Sequence, residues 1–293
     1  MRGTRHLNTL GLTAIVLAVI LWAVTANVVY ALLTTGINPL ELAGASAMIA
    51  TFGLVILHCF WGRARFSKTM SWKQFALGLV LVFLVGANYI AVQQLPVAIA
   101  IVLLFPSPLL VVLWTALAER RAPSRFVLVA LLLSILGVVL VSKLLESNFE
   151  QINWFGISIG LTTAFFFTAY ILLSEQVSKT GEPIGILLKT YAVASLFWLA
   201  YQSTQGLPAT LLTSENLPKV FYVGIAGNMF PQLLFLWSIQ RVRAEQAAIV
   251  ATLEPFVAAT IAWMWFGQTM SGLQIISGVL IVLAVTALQM KMP

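Results

Sequence analysis

Residues 10–33 read LGLTAIVLAVILWAVTANVVYALL, a run without a single charged side chain. An apolar helix needs about 20 residues to cross the roughly 30 Å hydrocarbon core of a bilayer, so this run is long enough to span it. The run is too long for the apolar part of a secretory signal, and no small-residue cleavage site separates it from the next apolar run. We therefore predict that it is a retained transmembrane helix.

Nine more apolar runs of similar length follow along the chain, separated by turn and breaker residues such as Gly181-Glu182-Pro183. The ten predicted spans cover residues 10–33, 41–61, 75–95, 97–118, 126–145, 154–175, 184–204, 218–239, 246–266 and 272–290. Two boundaries are indistinct, because spans three and four nearly fuse at Leu95-Pro96 and no long loop precedes span ten. Nine spans is therefore the alternative count.

The composition of the chain excludes most soluble classes of protein. Of its 293 residues, 60% are hydrophobic and only 9% are charged, and the mean hydropathy is +0.99. A soluble domain carries about 25% charged residues because its surface faces water. This chain has too little charge to cover a water-facing surface, so most of its exterior must face the lipid bilayer. We predict an all-α integral membrane protein.

The positive charges indicate how the chain is oriented, because cytoplasmic loops of membrane proteins are enriched in Lys and Arg. With the N-terminus inside, all but three of the 16 basic residues fall on the cytoplasmic side, and the exceptions are Lys143, Lys189 and Lys219. Both termini are therefore predicted to be cytoplasmic. The basic residues are spread over short loops rather than gathered in one patch, so the net charge of +7 does not predict nucleic-acid binding.

Residue types that enzyme chemistry needs are scarce. The chain has no Asp, two His and one Cys, and neither His6 nor His58 has carboxylates at the spacing of metal ligands. No Gly-x-x-x-x-Gly-Lys-Ser/Thr phosphate loop is present, so ATP hydrolysis by this chain is not expected. We predict no enzyme activity, no metal and no cofactor.

Two segments in opposite halves of the chain resemble each other. Residues 97–106 read VAIAIVLLFP and residues 246–255 read QAAIVATLEP, so each apolar helix is interrupted by a proline near its middle. A polar residue closes the span thirteen residues after each proline, Glu119 in one half and Gln268 in the other. The alternative is chance similarity between helices rich in Ala, Leu and Val.

Five spans in each half is an odd number, so the second half must enter the membrane inverted relative to the first. We therefore predict two inverted five-helix repeats, residues 1–145 and residues 146–293. Inverted repeats are typical of secondary transporters, which bind their solute near the midplane at the repeat interface.

These features resemble the drug/metabolite transporter superfamily and, within it, the ten-helix EamA family. The family pattern is a helix of small residues, a proline within it and a terminal Glu, repeated in each half. Residues 247–255, AAIVATLEP, are similar to the second copy, and Pro106 with Glu119-Arg120-Arg121 is similar to the first. The chain departs from the pattern at Gln268, which replaces the second terminal Glu, and at Pro106-Ser107-Pro108, which replaces a single proline.

The resemblance implies a carrier of the plasma (bacterial inner) membrane that exports small organic metabolites by alternating access. Amino acids or related compounds are the substrate class that it favours, and the lipid bilayer is the only other partner expected. The alternatives are an efflux carrier for drugs or cations and a channel, although no filter-like motif recurs in the sequence. Proton coupling, exchange and facilitated diffusion remain open, and a monomer is taken as the simplest assembly.

Candidate residues for the solute site are polar and aromatic side chains within the spans. They are Trp22, Asn27, Tyr89, Gln93, Ser107, Tyr170, Asn228, Gln232 and Glu254, with helix breaks at Pro106, Pro108 and Pro255. Prolines free backbone carbonyls, which lipid tolerates only beside polar groups, protein or a wet cavity. Each polar residue has an alternative role in hydrogen bonding between helices, and each proline an alternative role as a packing kink.

Glu254 is the only acidic residue that we place within a span core. Charge inside a bilayer is costly, so an intramembrane Glu indicates a function, either proton titration or binding of a substrate amine. The alternative is structural: the carboxyl stays protonated, or accepts a hydrogen bond from a neighbouring helix beside Pro255. Because the Glu-Pro pair recurs in the family irrespective of substrate, the resemblance favours the structural role.

Two further expectations concern side chains near the lipid. Lys189 is predicted near the inner end of its span, where its amine would extend to the lipid headgroups. Phe165-Phe166-Phe167 is predicted to be lipid-facing bulk.

Overall fold

The computed structural model describes residues 2–61, 69–95, 97–141, 153–206, 209–266 and 271–290. Every regular element within these ranges is helical, which confirms the predicted all-helical class. Three residues that the sequence predictions name, Pro96, Lys143 and Gln268, lie outside the described ranges, and so do four of the basic residues counted on the cytoplasmic side, Arg63, Arg65, Lys68 and Lys291.

The helices follow one another along the chain with short connections. They are α1 (Arg2–Leu33), α2 (Pro39–Trp61), α3 (Trp72–Gln94), α4 (Val97–Val102), α5 (Pro106–Ala118), α6 (Arg125–Val141), α7 (Trp154–Ser178), α8 (Pro183–Gln205), α9 (Leu217–Tyr222), a π-helical segment (Val223–Met229), α10 (Phe230–Ile239), α11 (Ala244–Ala251), α12 (Glu254–Phe266) and α13 (Gly272–Met290). A short 3-10 turn, Ala209–Leu212, precedes α9.

Within the described ranges, eight helical stretches are long and apolar enough to cross a membrane. Two shorter apolar helices, Arg125–Leu140 and Gly272–Val285, accompany them. The eight stretches overlap eight of the ten predicted spans, whereas the two shorter helices lie within the fifth and tenth predicted spans but are not long enough to count as candidate crossings. Eight helices of this length and composition mark a multi-pass membrane protein.

Local chemistry explains where several helices begin and end. Ser71 Oγ accepts a hydrogen bond from Gln74 N (3.3 Å) while Ser71 N donates to Gln74 Oε1 (3.1 Å), a reciprocal cap that begins α3. Asn153 caps α7 by accepting from two backbone N–H groups of its first turn. α8 ends at Gln205 and is followed by Gly206 as its C-cap, whose φ of 87° favours glycine.

The exterior of the bundle is apolar, as a lipid-facing surface should be. Large side chains such as Phe60 (84% exposed), Leu117 (78%) and Phe52 (65%) point outward. A water-soluble protein rarely exposes contiguous apolar surface on this scale. Lipid is therefore the solvent that this surface fits.

Two spans are broken near their middles, one just before Pro106 and the other just before Glu254-Pro255. Leu103–Phe105 separates α4 from α5, and Thr252–Leu253 separates α11 from α12. At each break the backbone tightens into turns of the i→i−3 type, such as Phe105 N to Val102 O (2.9 Å) and Leu253 N to Val250 O (3.1 Å). In these turns a backbone N–H group donates to the carbonyl three residues earlier, instead of four residues earlier as in an α-helix.

The two broken spans lie side by side in the bundle. α4 packs against α12 and α5 packs against α11, so the first part of one span meets the second part of the other. The two spans therefore run in opposite directions, and their breaks lie at a similar depth. This places two irregular backbone segments close to one another in the middle of the bundle.

The remaining helices surround this pair. α2 packs against α8, α3 against both α7 and α8, α1 against both α10 and α12, and α6 against α13. The contact between α6 and α13 depends on Gly137, because a Cβ there would lie 2.5 Å from Ile281 Cγ1 and 3.0 Å from Ser277 O. Small residues let membrane helices approach this closely.

Candidate functional site

A cavity of about 90 Å³ lies in the middle of the bundle, beside the break between α4 and α5. Its lining residues come from α1, α3, α7, the π-helical segment, α10, α12 and the α4–α5 break: Trp22, Thr25, Ala26, Val29, Leu84, Val85, Asn88, Tyr89, Val92, Leu104, Phe167, Tyr170, Gly227, Asn228, Gln232 and Glu254. One buried water needs about 10–15 Å³ of such space, so the cavity has room for several waters or a small solute.

Six of the nine predicted site residues line this cavity: Trp22, Tyr89, Tyr170, Asn228, Gln232 and Glu254. The other three do not. Asn27 is buried and donates from Nδ2 to Ala23 O of its own helix (2.9 Å), and Gln93 is exposed on the outside of α3. Ser107 is fully buried beside the α4–α5 break, and its hydroxyl has no hydrogen-bond partner among the described residues.

Aromatic rings form one wall of the cavity. The ring centroid of Trp22 lies 6.3 Å from Phe167 in an edge-on arrangement and 5.7 Å from Phe235, which in turn lies 5.8 Å from Tyr170. Edge-to-face and tilted contacts at these distances add to the stability gained by burying the rings. The wall therefore presents an apolar, electron-rich surface to the cavity.

Two pairs of polar side chains bridge helices in the cavity wall. The Tyr170 hydroxyl donates to Gln232 Oε1, joining α7 to α10. Asn228 Nδ2 donates to the Tyr89 hydroxyl over 3.5 Å, joining the π-helical segment to α3. Each amide therefore has one side occupied by a tyrosine, which leaves the remaining donors or acceptors of the amide for a solute.

Glu254 is the first residue of α12, directly after the break in its span. It is partly buried, faces the cavity, and has no hydrogen-bond or ion-pair partner among the described residues. Of the described lining residues, it alone carries a carboxyl or a cationic group. A hydrogen bond accepted from a neighbouring helix is the structural role that the sequence allows for Glu254. No such hydrogen bond is found among the described residues.

The π-helical segment is a feature that sequence reasoning missed. It places Gly227 and Asn228 at the cavity, and a Cβ at Gly227 would lie 2.4 Å from Thr25 Cγ2, so glycine is needed for α1 to pack this closely. Single π turns within helices occur frequently at functional sites because they reorient side chains. Glycines at 224 and 227 were the available signal, but glycine alone does not predict a π turn.

A charged cluster ties α5 to α11 at one end of the bundle. Arg243 Nη2 lies 2.9 and 2.7 Å from the two carboxylate oxygens of Glu119, and Arg243 Nε lies 3.4 Å from Glu245 Oε2. Thr115 donates to Glu245 Oε1 (2.8 Å). The hydrogen bond and charge of Arg243 lower the pKa of Glu119 and, conversely, Glu119 raises the pKa of Arg243.

Two expectations about individual side chains are corrected by the structure. Lys189 does not reach outward to headgroups: it is buried, and its Nζ donates to the backbone carbonyl of Thr69 (2.9 Å), just before α3. Of the three adjacent phenylalanines, Phe165 is exposed as predicted, but Phe167 is buried and lines the cavity. A helix turns about 100° per residue, so three consecutive residues cannot all face lipid.

Comparisons with known proteins agree with this architecture. The model of the EamA-like transporter family matches residues 9–143 and, a second time, residues 154–289. A protein of Archaeoglobus fulgidus described as an uncharacterized transporter is 28% identical over 211 residues, which cover 71% of this chain and 74% of that protein. The threonine/homoserine exporter RhtA of Salmonella typhimurium is 25% identical over 236 residues, 80% of this chain and 77% of the exporter.

The fold is also found in a crystal structure of another protein. The two chains superpose with a TM-score of 0.78, covering 97% of this chain and 96% of the other, at 15% sequence identity. At this level of identity the similarity concerns the arrangement of the helices alone.

Proposed function

Because the chain belongs to the EamA-like transporter family, we propose that it is a secondary carrier that exports small organic metabolites, amino acids or related compounds above all. The central cavity is the solute site of this carrier. The similarity to proteins named as threonine/homoserine exporters supports the direction and the substrate class. Alternating access is the mechanism that we assign to it.

The observation that carries this proposal is the position of Glu254. Placing a carboxyl in the membrane interior costs free energy, and such groups are retained where they pair with protein, with an ion or with a solute. Glu254 has no protein partner among the described residues and faces a cavity walled by aromatic rings and amides. A solute amine would supply the missing partner by a charge-assisted hydrogen bond.

We further propose that residues 1–145 and 146–293 form two inverted five-helix halves, with ten spans in all. The family model matches once in each half. Each of several contacts between helices also has a counterpart when the two halves are exchanged. The contact of α3 with α7 matches that of α1 with α10, and the contact of α3 with α8 matches that of α2 with the π-helical segment. The contact of α5 with α7 likewise matches that of α1 with α12. An internal two-fold axis that exchanges the halves would generate this pattern.

An orientation with both termini in the cytoplasm follows from the distribution of Lys and Arg in the sequence. It puts the cluster around Arg243 at the cytoplasmic end of the bundle and the cavity near the midplane. The membrane is then the plasma membrane, the bacterial inner membrane by analogy with the relatives from Salmonella typhimurium and Escherichia coli.

A carrier for organic cations is the second candidate, and the same carboxyl and rings support it. A cation attracted to the face of Trp22 gains about 0.5–2 kcal/mol, so a solute without a carboxylate would also fit the cavity. Transport of a labelled cationic dye with no transport of amino acids would favour this candidate.

Counterflow in proteoliposomes tests the proposal. The purified protein, loaded inside with unlabelled threonine, should accumulate labelled threonine or a related amino acid with saturation and with stimulation by the internal solute. Glu254→Gln, which keeps the size of the side chain, should lower this uptake about tenfold or more, as expected for losing a hydrogen bond to a charged group worth about 1.5–3 kcal/mol. Glu215→Gln, at an exposed position outside the cavity, is the matched control.

Three outcomes would count against the proposal. Uptake that does not saturate, or single-channel currents, would indicate a channel. Absence of counterflow for every amino acid and dye would argue against a carrier for these solutes. Full activity of the Glu254→Gln variant would remove Glu254 from the solute site.

A further inference from the structure

The two amides in the cavity wall are held in opposite senses by their tyrosine partners. A primary amide has one acceptor oxygen and two donor N–H groups. The oxygen of Gln232 is occupied by the Tyr170 hydroxyl, so Gln232 presents its N–H groups to the cavity. The nitrogen of Asn228 is engaged with the Tyr89 hydroxyl, so Asn228 presents its oxygen.

Burial makes the orientation of Gln232 durable. Tyr170 is 1% exposed and Gln232 is 4% exposed, so water does not compete for their hydrogen bond. The buried Tyr170 hydroxyl donates to the Gln232 oxygen, and turning the amide would replace this acceptor by N–H donors, which opposes the rotation. The ring of Tyr170 is in turn held against Phe235. Tyr170 is thus a positioning residue that acts on a solute through Gln232.

The Glu254 carboxyl and the Gln232 amide are carried into the cavity by different helices. Glu254 contributes a carboxyl from α12, whereas Gln232 contributes N–H groups from α10, and both helices pack against α1. α1 supplies Trp22, Thr25 and Ala26 to the wall. A solute that satisfies both helices must therefore carry a donor group and an acceptor group on one small frame.

We infer that the cavity selects a small zwitterion, whose ammonium group binds Glu254 and whose carboxylate accepts hydrogen bonds from Gln232 as oriented by Tyr170. This inference rests on the proposed carrier function. It adds which charged groups the solute carries and which residues bind each of them. No Lys or Arg is among the described lining residues, so neutral donors alone hold the carboxylate. A neutral amide forms hydrogen bonds with a carboxylate but lacks the opposite full charge that a Lys or Arg would bring, which suits a site that must release its solute.

The test compares three related solutes in the counterflow assay: threonine, threonine methyl ester and N-acetylthreonine. The ester keeps the amine but masks the carboxylate, and the acetyl compound does the reverse. Each serves as a competitor of labelled threonine uptake by the purified, reconstituted protein. We expect threonine to compete about tenfold or more better than either masked compound, because a site built to hydrogen-bond a group rejects analogues that lack it.

Two variants assign the carboxylate end. Gln232→Glu replaces the donor amide by an acceptor of the same shape, and it should reduce the preference for threonine over its methyl ester by about tenfold or more. Tyr170→Phe keeps the ring but frees the Gln232 oxygen, and it should reduce the same preference several-fold while leaving competition by the ester unchanged. Gln93→Glu, the same chemical change on the exposed side of α3, is the control and should leave the ratio as in the parent.

The ratio between zwitterion and ester distinguishes this role from a purely structural one, which would lower all uptake in proportion. Stabilisation of the detergent-purified protein against heat by threonine and by the ester gives a second, transport-independent ratio. If Gln232→Glu does not yield monodisperse protein, the ratio in Tyr170→Phe decides. A parent-like ratio in the folded variants, or equal competition by all three solutes in the parent, overturns the inference while the carrier proposal stands. Absence of counterflow in the parent overturns the carrier proposal instead, and this inference with it.

Discussion

Arg243 and Glu119 are 124 positions apart in the sequence, and a single guanidinium nitrogen, Nη2, lies within 2.9 Å of both carboxylate oxygens of Glu119. Glu119 follows the last residue of α5, and Arg243 precedes the first residue of α11. The pair thereby joins α5 to α11, which are the second part of one broken span and the first part of the other. Glu245, which is nearly buried, contacts the same guanidinium and the Thr115 hydroxyl.

Neutralising this pair should destabilise the protein modestly. Both side chains are roughly half exposed, so Glu119→Gln should cost about 0.2–1 kcal/mol, the range of exposed ion pairs. Arg243→Ala should cost more, about 1–3 kcal/mol, because it also leaves the Glu245 carboxylate without its cation. The midpoint of thermal unfolding in detergent measures both. Glu215→Gln breaks a longer contact to Lys219 at an exposed site and should leave the midpoint unchanged. An equal effect of all three substitutions would contradict the special role of Arg243.

The same pair should make stability depend on acidity. Arg243 lowers the pKa of Glu119 from its usual value of 4.5, so the folded state favours the charged carboxylate more than the unfolded state does. The contribution of Glu119 is therefore complete above pH 4.5 and is lost as the pH falls through the lowered pKa. Thermal midpoints measured between pH 7 and pH 3 should fall less steeply for Glu119→Gln than for the parent. Parallel curves for the two proteins would be the contrary result.

The contact between α6 and α13 should not tolerate a side chain at Gly137. A Cβ there would meet Ile281 Cγ1 at 2.5 Å and the backbone carbonyl of Ser277 at 3.0 Å, and the carbonyl cannot move without shifting α13. We expect Gly137→Ala to cost about 1–3 kcal/mol, as overpacking of a tight interface does. Gly185→Ala on α8 is the matched control, because nothing lies within 4 Å of its Cβ. It should be neutral or slightly stabilising, and thermal unfolding in detergent compares the two.

The proposed orientation can be tested by thiol labelling in intact cells. In a Cys59→Ala background, a cysteine at exposed position 122, between α5 and α6, should resist an impermeant maleimide added outside. A cysteine at exposed position 214, just before α9, should react. Permeabilised cells provide the control, since both positions should then react. The reverse pattern in intact cells would place the termini outside and invert the whole assignment.

The parts of the site that could be predicted from the sequence are those set by interactions within a single helix. Pro106 and Pro255 correctly predicted the two backbone breaks. A proline lacks the backbone N–H group, and its ring clashes with the carbonyl four residues earlier, so its effect lies within one turn of the helix. Glu254 and Trp22 stood out as unusual residues for the middle of a span, and both line the cavity. Gln93 and Ser107 were chosen on the same grounds but lie elsewhere. Phe167 was assigned to lipid although it belongs to the cavity wall.

The sequence by itself determined the positions of the membrane-crossing helices and their interruptions, because lipid forces each crossing segment to be apolar and to satisfy its backbone internally. Only the tertiary structure decided which sides of those helices meet. Lipid tails are as apolar as leucine, so a side facing lipid and a side facing a neighbouring helix have similar composition. The contacts between Tyr170 and Gln232, 62 residues apart, and between Arg243 and Glu119 therefore exist only once the helices have packed.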